Sequence, residues 1–270
     1  MNQDDLHLVD THCHIDFDDF DNDRDIIIQQ AQECGVLDLI VPSVAKSSWH
    51  KTIKICASIG QCHLALGLHP VFIEQHQPQH LTELDNLIKI HSPIAIGEIG
   101  LDYYLKDLDK DKQRAFFNKQ LVIAKQHDLP VVIHNRKAHD DCINFLTEMN
   151  INKGIIHAFN GSIQQAEKYI DLGFLLGFGG MLTFERSTKL RNLAKQIPLN
   201  SIVLETDAPD MTVAQYRGKR NSPQYLPFIL QSIAEIKNIS VQETALITTT
   251  NAQKILPPRF SLSSPEMILN

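Results

Sequence analysis

Two histidines separated by one residue follow the first apolar run of the chain, in the segment LVDTHCH at residues 8–14. Side chains alternate between the two faces of an extended strand, so His12 and His14 point the same way, about 7 Å apart along the chain. Two imidazoles in this arrangement can bind one metal ion. The spacing therefore predicts a metal site where the first strand ends.

Four further side chains of the metal-binding type each stand at the end of another apolar run: Glu98, His134, His157 and Asp207. Taken singly, such a histidine is more often an ordinary core residue, and such an acid is often only the start of a loop. Six residues at the same structural point favour a metal centre, because a buried carboxylate needs a cation or another partner.

Four imidazoles and two carboxylates suit two divalent ions bridged by one carboxylate. The predicted ligands are His12, His14 and Asp207 for the first ion, His134 and His157 for the second, and Glu98 between them. Mixed nitrogen and oxygen donors suit Zn²⁺ or Mn²⁺, tolerate Mg²⁺ when water completes its shell, and exclude Ca²⁺. So few protein ligands leave positions open for water and substrate, which is typical of a catalytic site.

The elements that must position these residues are short apolar runs, continuous rather than alternating, as expected of parallel strands buried on both faces. The runs lie near residues 6–10, 37–42, 62–67, 93–98, 129–134, 154–159, 173–178 and 201–207. Helical patterns separate most of them, notably at 109–128, at 162–172 behind the N-cap candidate Ser162, and at 240–247 with a capping box.

This alternation predicts an α/β fold, a (β/α)₈ TIM barrel that forms a single domain over residues 1–256. A doubly wound open sheet is the structural alternative. It would gather the ligand-type residues at one switch point, whereas here they stand at strand ends throughout the chain. Residues 257–270 are expected to form a mobile tail.

The composition limits the classes of partner. The chain has 270 residues, 43% hydrophobic residues and a formal net charge of −7, so it lacks an overall basic footprint for nucleic acid. A phosphodiester would have to be attracted locally, by metal ions and a few basic side chains. The five cysteines, an odd number without CxxC spacing, predict reduced, buried thiols and a cytoplasmic location. We find neither a signal peptide pattern nor an apolar run long enough to cross a membrane.

Three residues outside the ligand set are candidates for substrate contact. His69 follows the third apolar run, at the expected mouth of the barrel. Arg136 stands two residues after His134, and Arg220 belongs to a small basic cluster after the last strand. Both guanidinium groups are expected to contact phosphate. Glu205 shares a face with Asp207 by alternation, and it is a candidate to orient a ligating imidazole.

Six motifs of the chain resemble, in order and spacing, those of the TatD family of metal-dependent hydrolases. They are DTHCHIDF at 10–17, GLHP at 67–70, GEIGLDYY at 97–104, PVVIHNR at 130–136, HAFNGS at 157–162 and ETDAPDM at 205–211. The segment ETDAPDM at 205–211 and the preceding GFGG at 177–180 are most similar to the family's YjjV-type branch. The resemblance covers residues 6–256. One departure is Ser222, which stands where the family often carries a glutamate, and this difference bears on how the loop after the last strand is anchored.

The resemblance implies a TIM barrel of the amidohydrolase superfamily with a two-metal site and phosphoester hydrolysis, usually described as deoxyribonuclease activity. It implies the same ligand assignment that the residues suggest, with Glu98 as the bridge. It also implies that Asp207 binds the first metal and helps to activate water. Asp207 and Glu98 are thus the predicted catalytic residues, two ions (Mg²⁺, Mn²⁺ or Zn²⁺) the predicted cofactors, and DNA or another phosphodiester the expected partner.

Two alternatives stay open. A barrel with such a site can also hydrolyse a small phosphoester, an amide or a lactone, because the fold does not fix the chemistry. A non-catalytic metal-binding adaptor would need complete coordination by the protein, which the small number of ligands argues against. Neither a membrane nor an obligate protein partner is expected.

Overall fold

Each apolar run of the sequence forms a parallel strand in the computed structural model, which describes residues 7–255. Within these residues the strands are β1 (Leu8–Asp10), β2 (Val36–Pro42), β3 (Cys62–Leu66), β4 (Ala95–Asp102), β5 (Val131–Arg136), β6 (Gly154–Ile156), β7 (Phe174–Phe178) and β8 (Ile202–Leu204). They pair in sequence order, β1 to β8, in one sheet. The predicted tail at 257–270 lies outside the described residues.

The first and last strands meet where the barrel closes. The backbone amide of Thr11, just after β1, donates to the carbonyl of Leu204 in β8 at 3.0 Å. Slightly further along, the amide of Asp207 donates to the carbonyl of His12 at 2.8 Å. The sheet is therefore a nearly closed barrel, and the closing bonds bring the residues after β1 next to those after β8.

Helices connect the strands and cover the outside of the barrel. They are α1 (Arg24–Glu33), α2 (Lys46–Ser58), α3 (Pro78–His91), α4 (Lys110–Gln126), α5 (His139–Glu148), α6 (Ile163–Asp171), α7 (Thr188–Gln196), α8 (Leu226–Lys237) and α9 (Val241–Ile255). The Ser162 hydroxyl accepts from the amide of Gln165 at the start of α6, and Ser240 does the same for Glu243 at α9. Within residues 7–255 no helix combines the length and apolar character needed to cross a bilayer.

The barrel interior is filled by one apolar side chain from every strand. These are Val9, Ile40, Ala65, Ala95, Val132, Ile155, Leu175 and Val203. They form one buried cluster with Ile94, which precedes β4, and with Ala252, which belongs to α9. The outward-facing side chains of the same strands pack against the helices in a second, larger cluster. This arrangement confirms the predicted single-domain (β/α)₈ barrel.

All five cysteines lie in the described residues and are free thiols. Cys13, Cys62 and Cys142 are buried, as predicted, whereas Cys34 and Cys56 are only partly so. Burial raises the pKa of Cys142 to about 12. Such a thiol stays protonated near neutral pH and is a poor nucleophile, so it serves packing.

Candidate active site

Alternation along the strands carries most of the predicted site residues to one end of the barrel. His134, His157 and Glu205 each come two residues after an interior apolar residue of their strand, namely Val132, Ile155 and Val203. Residues two apart share a face, so these side chains lie above the apolar layer, at the carboxyl ends of the strands. His69 and Asp207 lie beyond the ends of β3 and β8, and both line the cavity at the same end of the barrel.

Two parts of the site do not follow simple alternation. His12 and His14 lie beyond the end of β1, in a segment turned by the closing bonds to β8. Glu98 lies within β4, where the pairing with β5 is irregular between Ile96 and Ile99. This irregularity aims the Glu98 carboxylate inward, although Ala95, three residues earlier, also faces the interior.

Four of the predicted ligands form a compact group. His12 Nε2 lies 3.2 Å from His14 Nε2 and 3.1 Å from Glu98 Oε2. His14 Nε2 lies 3.6 Å from Glu98 Oε2, and Asp207 Oδ1 lies 3.8 Å from His12 Nε2 and 3.7 Å from His14 Nε2. A tetrahedral Zn²⁺ with bonds of about 2.1 Å sets its ligands about 3.4 Å apart. The donor set and its spacing fit a divalent cation.

The other oxygen of Glu98 faces a different pair of imidazoles. Its Oε1 lies 3.1 Å from His134 Nδ1 and 3.1 Å from His69 Nε2. His134 Nε2 in turn lies 3.1 Å from Asp102 Oδ2. Glu98 therefore stands between two groups of donors, as a bridging carboxylate would. Asp102 was assigned no role from the sequence, although its position four residues after Glu98 in the same strand was the available signal.

Hydrogen bonds set which nitrogen of His14 and of His157 points into the site. His14 Nδ1 lies 3.2 Å from the Pro42 carbonyl, and His157 Nδ1 lies 3.0 Å from Glu205 Oε1. Each contact favours a proton on Nδ1 and directs the Nε2 lone pair toward the carboxylates, an arrangement typical of metal-binding histidines.

His69 shows the opposite pattern. Its Nδ1 accepts from the Val71 amide at 3.1 Å, so its Nε2 carries the proton and donates to Glu98. His69 is buried against the bridging carboxylate and also lines the cavity. Its predicted substrate contact therefore remains a prediction, while its contact with Glu98 is a structural feature of the site.

His157 lies on the Asp207 side of the site. Its ring stacks on that of His12 with centroids 3.6 Å apart, and its Nε2 lies 3.7 Å from Asp207 Oδ2. The His134 and His157 ring centroids are 6.4 Å apart. The pairing of these two histidines on one ion stays a prediction. The predicted contact between Glu205 and a ligand-type imidazole is present in the structure.

Gly177 of β7 makes room for Glu205. A Cβ at this position would come within 2.2 Å of Glu205 Oε2, so any side chain there would displace the carboxylate. Glu205 is held from the other side by the Ala158 amide, which donates to its Oε1 at 2.7 Å. The buried carboxylate that supports His157 is thus fixed by two neighbouring strand ends.

The carboxylates of the site are surrounded by imidazoles. Within residues 7–255, no lysine or arginine forms an ion pair with Glu98, Glu205 or Asp207, whose close partners are imidazoles. Burial would raise the pKa of Glu98, but the neighbouring His69 and His12 outweigh burial and hold that pKa well below its usual range. An ionised Glu98 beside the converging Nε2 atoms of His12 and His14 forms a natural cation site.

The pKa of Asp207 is shifted in the opposite direction from that of Glu98. Burial raises the pKa of Asp207 to about 6, even though His157 and His14 act in the opposite direction. Its side chain borders a cavity of about 890 Å³ that opens at the mouth of the barrel. Arg136, which is exposed, also lines this cavity and stacks on Tyr104 with its guanidinium carbon 3.7 Å from the ring centroid.

Arg220 does not reach the cavity. Its guanidinium group forms two hydrogen bonds with the Asp23 carboxylate, at 3.0 and 2.6 Å, and lies over the Phe20 ring. This pairing ties the loop after β8 to the start of α1, so the structure does not support the predicted contact of Arg220 with phosphate. The physical reason is that an acidic partner distant in sequence neutralises it.

The same loop is anchored without the glutamate that the family often carries. The buried Asn221 side chain donates to the carbonyls of Thr206 and Asp210, at 2.8 and 2.7 Å. The Ser222 hydroxyl is buried without a hydrogen bond. Asn221 therefore holds the chain on both sides of Asp207, and the substitution at Ser222 leaves that anchor intact.

The fold and the cluster together define a (β/α)₈-barrel hydrolase with candidate metal-binding residues at the carboxyl ends of its strands. The family model described as TatD related DNase matches residues 9–257. The chain belongs to the TatD family, as the motifs predicted, and it is a metal-dependent hydrolase of that family.

Individual relatives match this chain over nearly their whole length. The metal-dependent hydrolase YjjV of Escherichia coli is 34% identical over 247 residues, which cover 90% of this chain and 95% of the relative. YabD of Bacillus subtilis is 34% identical over 250 residues, covering 92% and 98%. The crystal structure of Escherichia coli YjjV superposes with a TM-score of 0.89 at 33% identity, covering 92% of this chain and 97% of that one.

Proposed function

We propose that this protein hydrolyses phosphodiesters, with a DNA strand as the main substrate, at a site that binds two divalent cations. The observation that carries the proposal is the Glu98 carboxylate, whose two oxygens face two separate groups of imidazoles. Paired cations bridged in this way are a recurrent feature of phosphatases and nucleases. The family description, TatD related DNase, supports the same reaction.

In this proposal His12, His14 and Asp207 would hold one cation, His134 and His157 the other, and Glu98 both. The bound cations, Zn²⁺, Mn²⁺ or Mg²⁺, would supply charge to polarise the phosphate and to make water acidic. The chain's own residues provide the remaining functions. Asp207 accepts the proton of the attacking water, because it is a carboxylate at the edge of the cavity.

Arg136 contributes at the mouth of the cavity. Its guanidinium group is exposed and is held in place by the Tyr104 ring, and it can donate two hydrogen bonds to a phosphate. Glu205 keeps His157 oriented through Nδ1. These residues bind and orient the substrate and the ligands, while the proton moves to Asp207.

A small organic ester, such as a lactone, is the second candidate substrate, because much of the cavity wall is apolar. The apolar side chains that line it include Phe17, Val44, Phe72, Phe159, Phe178, Met181 and Leu190. Such walls can enclose a nucleobase or an acyl chain equally well.

The cytoplasmic location inferred from the cysteines stays a prediction.

The deciding experiment uses protein stripped of metal and resupplied with one ion at a time. Single-stranded DNA, RNA, bis(p-nitrophenyl) phosphate, an amide and a lactone are offered under identical conditions. We expect metal-dependent cleavage of the phosphodiesters, with little turnover of the amide and lactone. Preferential lactone or amide turnover would overturn the proposal and favour the second candidate.

Asp207→Asn tests the assigned base. An amide oxygen can still bind a cation weakly, but it cannot accept the proton of the attacking water, so turnover should fall about 10²- to 10⁴-fold. Substrate affinity should persist, as measured by fluorescence anisotropy with a labelled oligonucleotide. Activity close to that of the unsubstituted protein at neutral pH would require a different base.

A further inference from the structure

A second cavity of about 510 Å³ lies beside the catalytic cavity, and the two share the side chains of Asn160 and Lys189. Its walls come from the segments that follow β5 and β6 and from the first turn of α7. Since Asn160 and Lys189 border both spaces, a bound chain could pass from one to the other. We call this second cavity the lysine groove, after Lys137 and Lys189.

The two lysines of the groove are exposed and have no carboxylate partner among residues 7–255. The two acids that also line it do have partners. Asp141 pairs with Arg114 and accepts from the Tyr103 hydroxyl at 2.7 Å. Asp140 accepts from the Gln165 side chain at 3.0 Å. Together with Arg114, the two lysines set three cations against the two carboxylates of the groove, an excess of one positive charge in a chain whose net charge is −7.

The positive charges continue into the catalytic cavity. Arg136 lines that cavity, its neighbour Lys137 lines the groove, and Lys189 lines both. Arg136 ends β5, Lys137 follows it, and Lys189 lies in the first turn of α7. Arg220, which the sequence placed on a phosphate path, is instead paired with Asp23. The basic path therefore leaves the site on the side of α5 and α7.

We propose that the lysine groove binds a further phosphate of a polynucleotide strand whose scissile phosphate lies at the Glu98 cluster. This inference rests on the proposed phosphodiester hydrolysis and specifies its substrate as a strand with more than one phosphate. The catalytic cavity, at about 890 Å³, already has the size of a complete small-molecule site. A small phosphoester would leave the groove empty, whereas a strand would extend into it.

The test compares Lys137→Gln/Lys189→Gln with the matched control Lys168→Gln/Lys195→Gln. The control removes two exposed lysines from α6 and α7 that do not line the groove. Binding of a fluorescein-labelled octathymidylate is followed by anisotropy in EDTA over a series of salt concentrations. Hydrolysis of the octathymidylate and of bis(p-nitrophenyl) phosphate is measured with metal-loaded protein.

We expect the groove variant to raise the dissociation constant and the KM for the octathymidylate by about tenfold. The slope of log affinity against log salt should fall by about 0.7, because the groove binds one further phosphate and each phosphate contact on a single strand contributes about 0.7. The single variant Lys137→Gln, whose side chain does not line the catalytic cavity, should keep kcat and KM for bis(p-nitrophenyl) phosphate within about twofold, and the control variant should match the unsubstituted protein in every assay.

Two results would overturn the groove assignment. One is a groove variant that binds and cleaves the octathymidylate as the control does. The other is equal impairment of both substrates by Lys137→Gln, which would place that lysine at the scissile phosphate. Failure of the proposed function looks different, since the unsubstituted protein would then cleave no phosphodiester with any ion, while anisotropy would still report whether the groove binds the strand.

Discussion

The two ends of the barrel interior both carry histidines beside carboxylates, but the two groups are built differently. At the carboxyl end is the rim cluster: His12, His14, Glu98, His134, His157 and Asp207. At the amino end is the base cluster, His7, Asp38 and His63, each two residues before an apolar interior residue of β1, β2 or β3. One apolar layer separates them.

The base cluster is satisfied by its own members. Asp38 Oδ2 lies 2.7 Å from His7 Nε2, and Asp38 Oδ1 lies 2.5 Å from His63 Nε2, so each imidazole has its own oxygen. Helix α9 secures this end, because the Thr249 hydroxyl donates to the His7 carbonyl at 2.6 Å. In a TIM barrel, interactions at this end serve stability.

The members of the rim cluster are not paired one to one. Two imidazole nitrogens, His12 Nε2 and His14 Nε2, lie 3.2 Å apart, and both lie near the same oxygen of Glu98. The cluster also opens into a large cavity. The comparison teaches that residue type alone does not mark the functional site, whereas several donors that converge on one carboxylate beside an open cavity do.

The largest expected effect comes from the double substitution His12→Ala/His14→Ala. It removes two donors of the compact group, so one cation should be lost and turnover should fall by more than about 10³-fold, or about 4 kcal/mol. Elemental analysis of protein reconstituted with Zn²⁺ or Mn²⁺ checks the loss. The melting temperature of the metal-free protein should change little, and an unchanged metal content would contradict the ligand assignment.

Glu98→Gln should reduce turnover by at least about 10²-fold, which corresponds to roughly 3 kcal/mol of transition-state stabilisation. The physical reason is that the amide loses the charge that would neutralise two cations and set their separation. Steady-state rates on bis(p-nitrophenyl) phosphate provide the measurement. Kinetics like those of the unsubstituted enzyme would show that Glu98 does not act as a bridge.

Glu205→Gln should have a smaller effect, a loss of about 10- to 100-fold in metal affinity or activity, because Glu205 acts through His157. Gly177→Ala offers an independent probe, since its methyl group would displace the same carboxylate. Competition with a metal-binding dye measures the affinity in both variants. If only one of the two variants weakened metal binding, positioning by Glu205 would not be the common cause.

Much of this rim could be predicted from the sequence, because strand alternation is a local property. His134, His157 and Glu205 each keep the parity of an interior apolar residue, so their common face follows from spacing alone. The count of apolar runs likewise predicted the barrel. His69 was placed at the mouth because it follows the third apolar run, but its hydrogen bond to Glu98 depends on the Val71 amide and was not predictable.

The rest depends on contacts between distant segments. The irregular pairing of β4 with β5 decides where Glu98 points, and no local pattern records it. The sequence predicted that Arg220 contacts phosphate. In the fold it pairs with Asp23, which immediately precedes α1 and lies 197 positions earlier in the chain. The base cluster was missed altogether, since Asp38 and His63 lie within apolar runs and only the register of β1, β2 and β3 brings them together.

Asp38→Asn should distinguish the roles of the two ends of the barrel, because it should have the smallest effect on activity and a clear effect on stability. Burial opposes ionisation of Asp38, but hydrogen bonds from His63 and His7 outweigh it and hold the pKa of Asp38 well below its usual value near 3.9. The stabilisation is therefore present at neutral pH. It is lost as the pH falls below about 4, through the lowered pKa of the folded state.

We expect Asp38→Asn to lower the free energy of unfolding by roughly 1–3 kcal/mol at pH 7, the usual cost of losing hydrogen bonds to a charged group. The difference from the unsubstituted protein should shrink in acid, because Asp38 then becomes protonated in both the folded and the unfolded state. Urea unfolding at several pH values measures it, while kcat and metal content serve as controls. A variant with full stability but impaired turnover would show that the base cluster is coupled to the rim, and the division of the barrel into a stabilising end and a functional end would have to be abandoned.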